Sequence, residues 1–251
     1  MKRSSIIVEL IFAFSLVIFW QLAPVPSYIL PKPTRLVSEF LAQRTVIMNH
    51  LKITLYEAFT GFALALIIGE LLAVTMYLVK IVARVLLPMI VLTQTIPITV
   101  VAPLIVIWFG FGIQAKVGTV AFLCFFPIAI NTYEGLKTVD PQKLELLKVY
   151  KARWYQKLRF LYIPHTVPHI FSGMKIAVTY AFTAAILAEW MGAQAGLGIY
   201  TIRALNSFRV DRVFVVVALT IIITLVWFLV VDLLSKKMAP WAYRGEGGAE
   251  K

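Results

Sequence analysis

Apolar segments of about the length of a membrane-spanning helix alternate with short polar segments along most of the chain. A helix needs roughly 20 apolar residues to cross the hydrocarbon core of a bilayer. The predicted spans are residues 6–22, 54–78, 86–109, 116–130, 176–191 and 213–234. The predicted fold class is therefore all-α integral membrane, as one domain covering residues 1–251, with about six transmembrane helices and a long polar loop at residues 131–175.

The third apolar segment is interrupted by three prolines, Pro88, Pro97 and Pro103. Because proline lacks the backbone N–H that a helix needs, we expect breaks or kinks here rather than one straight rod. Broken helices inside membranes usually line cavities. Gln94 and Pro97 are therefore candidate residues of a pathway across the membrane.

The segment between the first two spans is proline-rich over residues 24–33 and is expected to lie outside the membrane. A short amphipathic segment, residues 34–43, is predicted to follow it. The first apolar segment has Lys2 and Arg3 before it, as a signal peptide would, but no small-residue cleavage site follows it. We interpret it as a retained first helix.

Composition excludes a soluble globular protein, because 61% of the residues are hydrophobic, 14% are charged and the mean hydropathy is +0.87. The net charge is +12, but the basic residues bracket apolar spans. That arrangement favours a role in membrane topology and contact with anionic headgroups over nucleic-acid binding. The single cysteine, Cys124, excludes an internal disulfide and is expected to be a packing residue.

The distribution of basic residues predicts the orientation. With the N-terminus inside, the inner segments would contain 16 of the 24 Lys and Arg residues. This asymmetry favours cytoplasmic N- and C-termini in the cytoplasmic (plasma) membrane, with residues 131–175 in the cytoplasm. The tail, residues 245–251, is expected to be disordered.

The polar loop carries signals for two short helices. Asp140 and Pro141 form an N-cap and first-turn pair, and the carboxylate of Glu145 favours the positive end of a helix. We expect Leu144, Leu147 and Val149 to seat this helix, with Lys143, Lys148 and Lys151 solvated. A second helix is predicted from residue 152 to residue 161, ended by Ile163 and Pro164.

Ionisable residues within apolar spans are costly unless they face a cavity, a partner or water. Glu57, Glu70 and Glu189 are therefore functional candidates, and Glu189 is a candidate for the translocation pathway. The alternative for Glu57 and for Asp232 is a position at a membrane interface.

Several kinds of site are not predicted. His165 and His169 have the spacing of a helical metal pair, but Pro164 and Pro168 are expected to interrupt that helix, so no metal site is predicted. There is no GxxxxGK[ST] motif and no nucleophile elbow. The chain is therefore not predicted to be an enzyme or to bind a cofactor, and any ATP hydrolysis would occur in another subunit.

The spacing in the polar loop resembles the EAA signature of ABC importer permeases. In that family the pattern is Glu-Ala-Ala, three residues, Gly, nine residues, Ile, one residue, Leu-Pro. Here the matching positions are Glu145, Lys151, Leu161, Ile163 and Pro164. Leu146 and Leu147 replace the two alanines, and Lys151 replaces the glycine of the turn. A lysine in a left-handed conformation would cost about 1 to 2 kcal/mol.

Further motifs extend the resemblance to nearly the whole chain, which is similar to permeases of the nitrate/sulfonate/taurine-type branch. These motifs are Leu30-Pro31-Lys32-Pro33-Thr34, the segment from His50 to Phe62, Ile96-Pro97, Trp108-Phe109-Gly110, Ile163-Pro164 and Gly196-Leu197-Gly198. The segment from Ala188 to Phe208 most resembles members that import vitamin precursors, such as thiamine-related pyrimidines or riboflavin.

The resemblance implies an ATP-driven importer of a small polar solute that works by alternating access. The implied partners are a cytoplasmic ATP-binding-cassette ATPase dimer, an extracytoplasmic solute-binding protein and a second permease subunit, expected to be an identical copy. It also implies a coupling helix that docks on the ATPase. The residues assigned to coupling on this basis are Asp140, Pro141, Glu145, Lys151, Leu161, Ile163 and Pro164.

Two other functions compete with this interpretation. An ion-gradient-driven secondary transporter would use Glu70 or Glu189 as its coupling carboxylate, but six spans without an evident repeat make it less favoured. A membrane enzyme is the more distant alternative, because no catalytic cluster is evident.

Overall fold

The computed structural model describes residues 2–243, and these residues contain helices and no strand. The helices are α1 (Lys2–Leu22), α2 (Pro33–Ala42), α3 (Arg44–Leu78), α4 (Lys80–Gln94), α5 (Ile98–Phe109), α6 (Ile113–Lys137), α7 (Pro141–Val149), α8 (Trp154–Lys157), a π-helical turn (Leu158–Tyr162), α9 (Ile163–Glu189), α10 (Leu197–Asn206), α11 (Val210–Met238) and α12 (Pro240–Tyr243). The predicted all-α fold class is confirmed.

Four helical segments are long and apolar enough to cross a membrane: α3, α6, α11 and the continuous segment from Trp154 to Glu189. The bent pair α4 and α5 makes a fifth if it counts as one span. Helix α1 contains the predicted first span, residues 6–22, although the side chains of residues 6–10 and 13 lie outside the described part. The total of six therefore stays a prediction, as does the disorder of residues 245–251, which lie outside the described residues.

The centre of the bundle is formed by α3, α6 and α9, and glycines allow their backbones to approach closely. A Cβ atom added at Gly61 of α3 would lie 2.5 Å from Cβ of Val120 on α6. One added at Gly173 of α9 would lie 2.7 Å from the carbonyl oxygen of Pro127. Small residues at such contacts are typical of membrane helices, whose association depends on close packing.

The predicted break in the third apolar segment is confirmed. The helix axis bends by 108° between α4 and α5. The residues between the two helices are Thr95, Ile96 and Pro97. Pro97 is the N-cap of α5, where its missing N–H costs no helical hydrogen bond. Pro88 and Pro103 lie inside α4 and α5, respectively.

The prediction that Ile163 and Pro164 end a helix is wrong. The chain passes from α8 through the π-helical turn into α9, giving one helical segment from Trp154 to Glu189. A proline normally clashes with the carbonyl of the residue four positions earlier, and the wider π turn just before Pro164 relieves that clash. The predicted fifth span at residues 176–191 accordingly begins earlier. Pro168 also lies within α9 and does not interrupt it.

Polar contacts fasten the bundle at its two ends. At one end, α2 is held to α11 by Arg35 with Asp211 at 3.3 Å and by Arg212 with Glu39 at 2.8 Å. At the other end, Lys175 of α9 pairs with Asp232 of α11, and the indole N–H of Trp241 donates to the carbonyl oxygen of Pro164 at 3.0 Å. We call these the α10 end and the α7 end, after the helices that lie there.

Candidate functional site

A cavity of about 610 Å³ lies at the break between α4 and α5. Helices α6 and α9 form its other walls. Its lining residues are Thr93, Gln94, Thr95, Ile96, Pro97, Ile98, Phe122, Leu123, Phe126, Pro127, Ile130, Asn131, Ile176, Tyr180 and Thr183. The broken helix therefore does line a cavity, as expected for irregular backbone at membrane depth.

The chemistry of this cavity is aromatic and neutral. Phe122, Phe126 and Tyr180 supply ring surfaces, and Gln94 and Asn131 supply amide groups, with the Asn131 amide already donating to the carbonyl of Pro127 at 2.7 Å. None of the described residues that line it carries a charge. Such a cavity suits a small uncharged solute with both ring surface and hydrogen-bonding groups better than a bare anion.

The three candidate pathway residues lie in two different places. Gln94 and Pro97 line the cavity, whereas Glu189 is absent from its lining and has 0% of its surface exposed. Thr54 donates to one carboxylate oxygen of Glu189 at 2.5 Å, and the backbone N–H of Gly198 donates to the other. The structure therefore separates Glu189 from the two residues at the helix break.

Glu189 belongs to a buried network that satisfies the N-terminus of α10. The backbone N–H groups of Gly196 and Leu197 donate to His50 Nδ1 at 2.9 Å and to Thr54 Oγ1 at 2.8 Å. With Gly198, three consecutive N–H groups of the helix start are thus paired with side chains of α3 and α9. Unpaired N–H groups at a buried helix start are costly, so this network fixes α10 against α3.

The other two intramembrane carboxylates also have partners on neighbouring helices. Glu57 lies 3.3 Å from the Lys116 ammonium at the start of α6, and Glu70 accepts from the Thr132 hydroxyl at 2.8 Å near the end of α6. Lys116 was not among the candidate residues, although a lysine at the edge of an apolar segment was an available signal. None of these carboxylates lines the large cavity.

The polar loop forms the predicted first helix, α7. The side chain of Asp140 accepts the backbone N–H of Gln142 at 2.9 Å, and Pro141 occupies the first turn. Leu144 and Leu147 are half-buried and Lys143, Lys148 and Lys151 are exposed, as expected. Val149 was expected to seat the helix but is 78% exposed, since it lies on the side away from the bundle.

Lys151 occupies the turn after α7 in a left-handed conformation, with φ of +53°. Its N–H donates to the carbonyl of Lys148 and the N–H of Ala152 donates to the carbonyl of Leu147, both at 2.9 Å. These two bonds are those of a Schellman motif, which usually places glycine at this position. The turn of the EAA-like segment is therefore formed here with a lysine in place of the family's glycine.

The last residues of the EAA-like segment lie where the loop joins α9. Leu161 is buried, Ile163 is exposed, and the carbonyl of Pro164 accepts the Trp241 indole. His165 and His169 lie four residues apart on the uninterrupted α9, with ring centroids separated by 5.6 Å. Within residues 2–243 there is no group of three or more metal-ligating side chains.

Comparisons with known proteins agree on one family. The family model described as the binding-protein-dependent transport system inner membrane component matches residues 61–240. The chain is 33% identical over 246 residues to the formylaminopyrimidine transport permease protein ThiX of Halalkalibacterium halodurans, covering 96% of this chain and 98% of that one. It is 32% identical over 232 residues to the riboflavin transport system permease protein RibX of Chloroflexus aurantiacus, covering 90% and 87%.

A solved structure has a similar fold. The crystal structure of an amino acid ABC transporter with histidines superposes with a TM-score of 0.65 and 18% sequence identity, covering 80% of this chain and 97% of that chain. The chain therefore belongs to the binding-protein-dependent transport system inner membrane component family, as a multi-pass plasma-membrane permease subunit of an ABC importer from the sulfonate, nitrate and taurine branch.

Proposed function

We propose that α7 is the coupling helix of this permease and that it docks in a groove on a separate ATPase subunit. The single observation that carries this is that α7 is a capped helix with no buried residue, set between two helices that line the cavity. Short isolated helices are only marginally stable in water. A helix with no buried residue is therefore expected to be stabilised by contact with a partner.

The surface of α7 suits a protein partner. Leu146, Val149 and Tyr150 are exposed apolar or aromatic groups, and Glu145 lies among exposed lysines. Mixed apolar and charged surfaces of this kind are typical of interfaces in which apolar groups supply affinity and charges supply register. In this proposal the α7 end faces the cytoplasm, together with both chain termini.

Movement of α7 would be transmitted to the cavity through covalent connections. Three residues separate the end of α6 at Lys137 from the start of α7 at Pro141, and α8 leads through the π turn into α9. Because α6 and α9 form two walls of the cavity, ATPase closure would shift both walls together. Two copies of the chain would form the complete pathway, with Gln94 and Pro97 lining it and an extracytoplasmic binding protein delivering the solute at the α10 end.

The proposed solute is a small uncharged heteroaromatic compound of the vitamin-precursor class, such as an aminopyrimidine. The charge-free aromatic cavity supports this choice over a sulfonate or nitrate ion, and so do the relatives whose names specify formylaminopyrimidine and riboflavin. Rings of Phe122, Phe126 and Tyr180 would stack on a planar solute, and the Gln94 amide would bond its ring nitrogens.

Coupling is tested by purifying the tagged permease from its native membrane in mild detergent, followed by mass spectrometry and an ATPase assay. Glu145→Lys should insert normally but lose the P-loop ATPase and solute uptake. Lys237→Glu, a charge reversal on α11 at the same end, is the control and should retain both. Unchanged ATPase recovery and uptake in Glu145→Lys would contradict the proposal.

The solute class is tested by uptake of a labelled aminopyrimidine in the presence of unlabelled competitors. Pyrimidines should compete, whereas sulfonates and nitrate should not. Gln94→Ala and Tyr180→Ala should lower uptake without loss of ATPase recovery, and Tyr56→Ala, which removes an exposed α3 tyrosine outside the cavity, is the control. Competition by a sulfonate alone would reject the heteroaromatic assignment.

A further inference from the structure

A second cavity, of about 390 Å³, lies at the α7 end between the last turns of α3, the first turns of α4 and the last turns of α6. It is separate in its lining from the large cavity and from α7. Its lining residues are Met76, Tyr77, Lys80, Ala83, Arg84, Leu87, Tyr133 and Lys137. Three basic side chains thus meet an otherwise apolar and aromatic wall.

The charge of this cavity is positive. Lys80 and Arg84 form no salt bridge with any carboxylate among the described residues, and Lys137 has only a loose, exposed pair with Glu134 at 3.7 Å. The Lys137 ammonium also lies 5.7 Å from the ring centre of Tyr133, which directs it along the α6 wall. Lys80 and Arg84 are four residues apart on α4, so they lie on the same face of that helix.

The surroundings of the cavity are those of a membrane surface. Leu78 and Ile81, which flank Lys80, are 72% and 68% exposed, and Val85, which follows Arg84, is exposed as well. These side chains belong to a spanning helix and to the broken span that follows it, and they need acyl chains rather than water as neighbours. A soluble partner that covered the basic groups would leave this apolar rim uncovered.

The side chains of α4 at this cavity therefore change from cationic to apolar along the helix. Lys80 begins the helix, Arg84 lies one turn further on, and Leu87 follows about one turn beyond it. A phospholipid has the complementary order, with a phosphodiester at the surface and hydrocarbon beneath it. Basic pockets between transmembrane helices are known as binding sites for anionic headgroups.

We propose that the cavity formed by Met76, Tyr77, Lys80, Arg84, Tyr133 and Lys137 binds the headgroup of an anionic phospholipid. Arg84 and Lys80 would pair with the phosphodiester, the Tyr133 and Lys137 side chains would close its α6 side, and one acyl chain would lie along Leu78, Ile81 and Val85. The bound lipid would fill the corner between the end of α3 and the start of the broken span.

The test uses the importer complex extracted from bilayers made of equal parts of phosphatidylglycerol and phosphatidylcholine, with retained lipids counted by native mass spectrometry. The wild type should retain phosphatidylglycerol in preference to phosphatidylcholine. Lys80→Gln with Arg84→Gln should reduce that preference about five-fold for each charge removed. Arg84→Lys should keep it, and Lys237→Gln, which removes an exposed charge from α11 at the same end, should leave it unchanged.

Three outcomes would overturn the proposal. The wild type could retain both lipids equally. This outcome does not depend on the folding of any variant. The Lys237→Gln control could lose as much phosphatidylglycerol as the cavity variant, which would indicate a diffuse effect of surface charge. Inorganic phosphate could displace the retained lipid at equal ionic strength with chloride having no effect, which would indicate a free-anion site instead.

Discussion

The carboxylate of Glu57 and the ammonium of Lys116 lie 3.3 Å apart inside the bundle, with 1% and 11% of their side chains exposed. They join the early part of α3 to the start of α6. Lys116 is the only cation among the described residues within salt-bridge distance of the Glu57 carboxylate, so it is the group that compensates its charge.

Removal of one partner should therefore destabilise the permease far more than removal of both. Lys116→Met is expected to destabilise the permease by about 3 to 5 kcal/mol, because it leaves a buried charge uncompensated. Glu57→Gln combined with Lys116→Met should recover most of that loss. Thermal unfolding of the detergent-solubilised protein measures both, with Lys52→Met, at an exposed lysine of α3, as the control. Equal stability of the single and double variants would contradict a direct pair.

Gly196 should not tolerate a side chain. Its φ of +125° and ψ of 164° lie in a region that is essentially restricted to glycine, and an added Cβ atom would overlap the Glu189 carboxyl group. Gly196→Ala is expected to cost at least about 1 to 3 kcal/mol of stability. Gly118→Ala is the matched control, since its added methyl would meet only Ile105, at an ordinary 3.6 Å. Similar unfolding temperatures for the two variants would show that α10 can begin in another way.

The turn after α7 should accept the family's glycine. Lys151→Gly removes a left-handed strain of about 1 to 2 kcal/mol, offset in part by the greater freedom of glycine in the unfolded chain. We expect unchanged or slightly raised stability and full ATPase recovery. Lys151→Pro should lose ATPase recovery, because proline cannot adopt a positive φ and lacks the N–H that bonds to Lys148. A large loss in Lys151→Gly would give the lysine side chain a role of its own.

The π turn should be coupled to the end of α3. The hydroxyl groups of Tyr77 and Tyr162 are 2.7 Å apart, and their rings meet edge to face. Tyr162→Phe and Tyr77→Phe are each expected to cost about 1 kcal/mol. The double variant should cost little more than either single one, because both remove the same bond. Strict additivity of the two unfolding free energies would indicate that the bond contributes nothing.

Local rules predicted the features that depend on a few adjacent residues. Asp140 with Pro141 began α7 as expected, and of the three prolines expected to break or kink the third apolar segment, Pro97 lies at the break between α4 and α5. Both predictions follow from local hydrogen bonding. A side chain such as Asp140 can accept a backbone N–H at the start of a helix, and a proline has no N–H to donate within one. The EAA-like spacing likewise located the turn at Lys151, and the family was confirmed even with glycine replaced.

Features that depend on distant partners could not be predicted in this way. The hydrogen bonds of Glu189 are made with Thr54 and with the start of α10, and the ion pair of Glu57 is made with Lys116. No periodicity within one helix reveals these pairings. Pro164 failed as a helix terminator for a different reason, because a π turn before a proline has no simple sequence signal.

The helical segment from Trp154 to Glu189 contains 36 residues, which corresponds to about 54 Å at 1.5 Å per residue. A bilayer core is only about 30 Å thick, so this segment is far longer than crossing requires. In the proposed coupling this segment would act as a lever: its first residues follow the turn at Lys151, its second half lines the cavity through Ile176, Tyr180 and Thr183, and its last residue, Glu189, holds the start of α10. A tilt about its middle would then move the two ends in opposite directions, so that opening on one side and closing on the other would be a single motion.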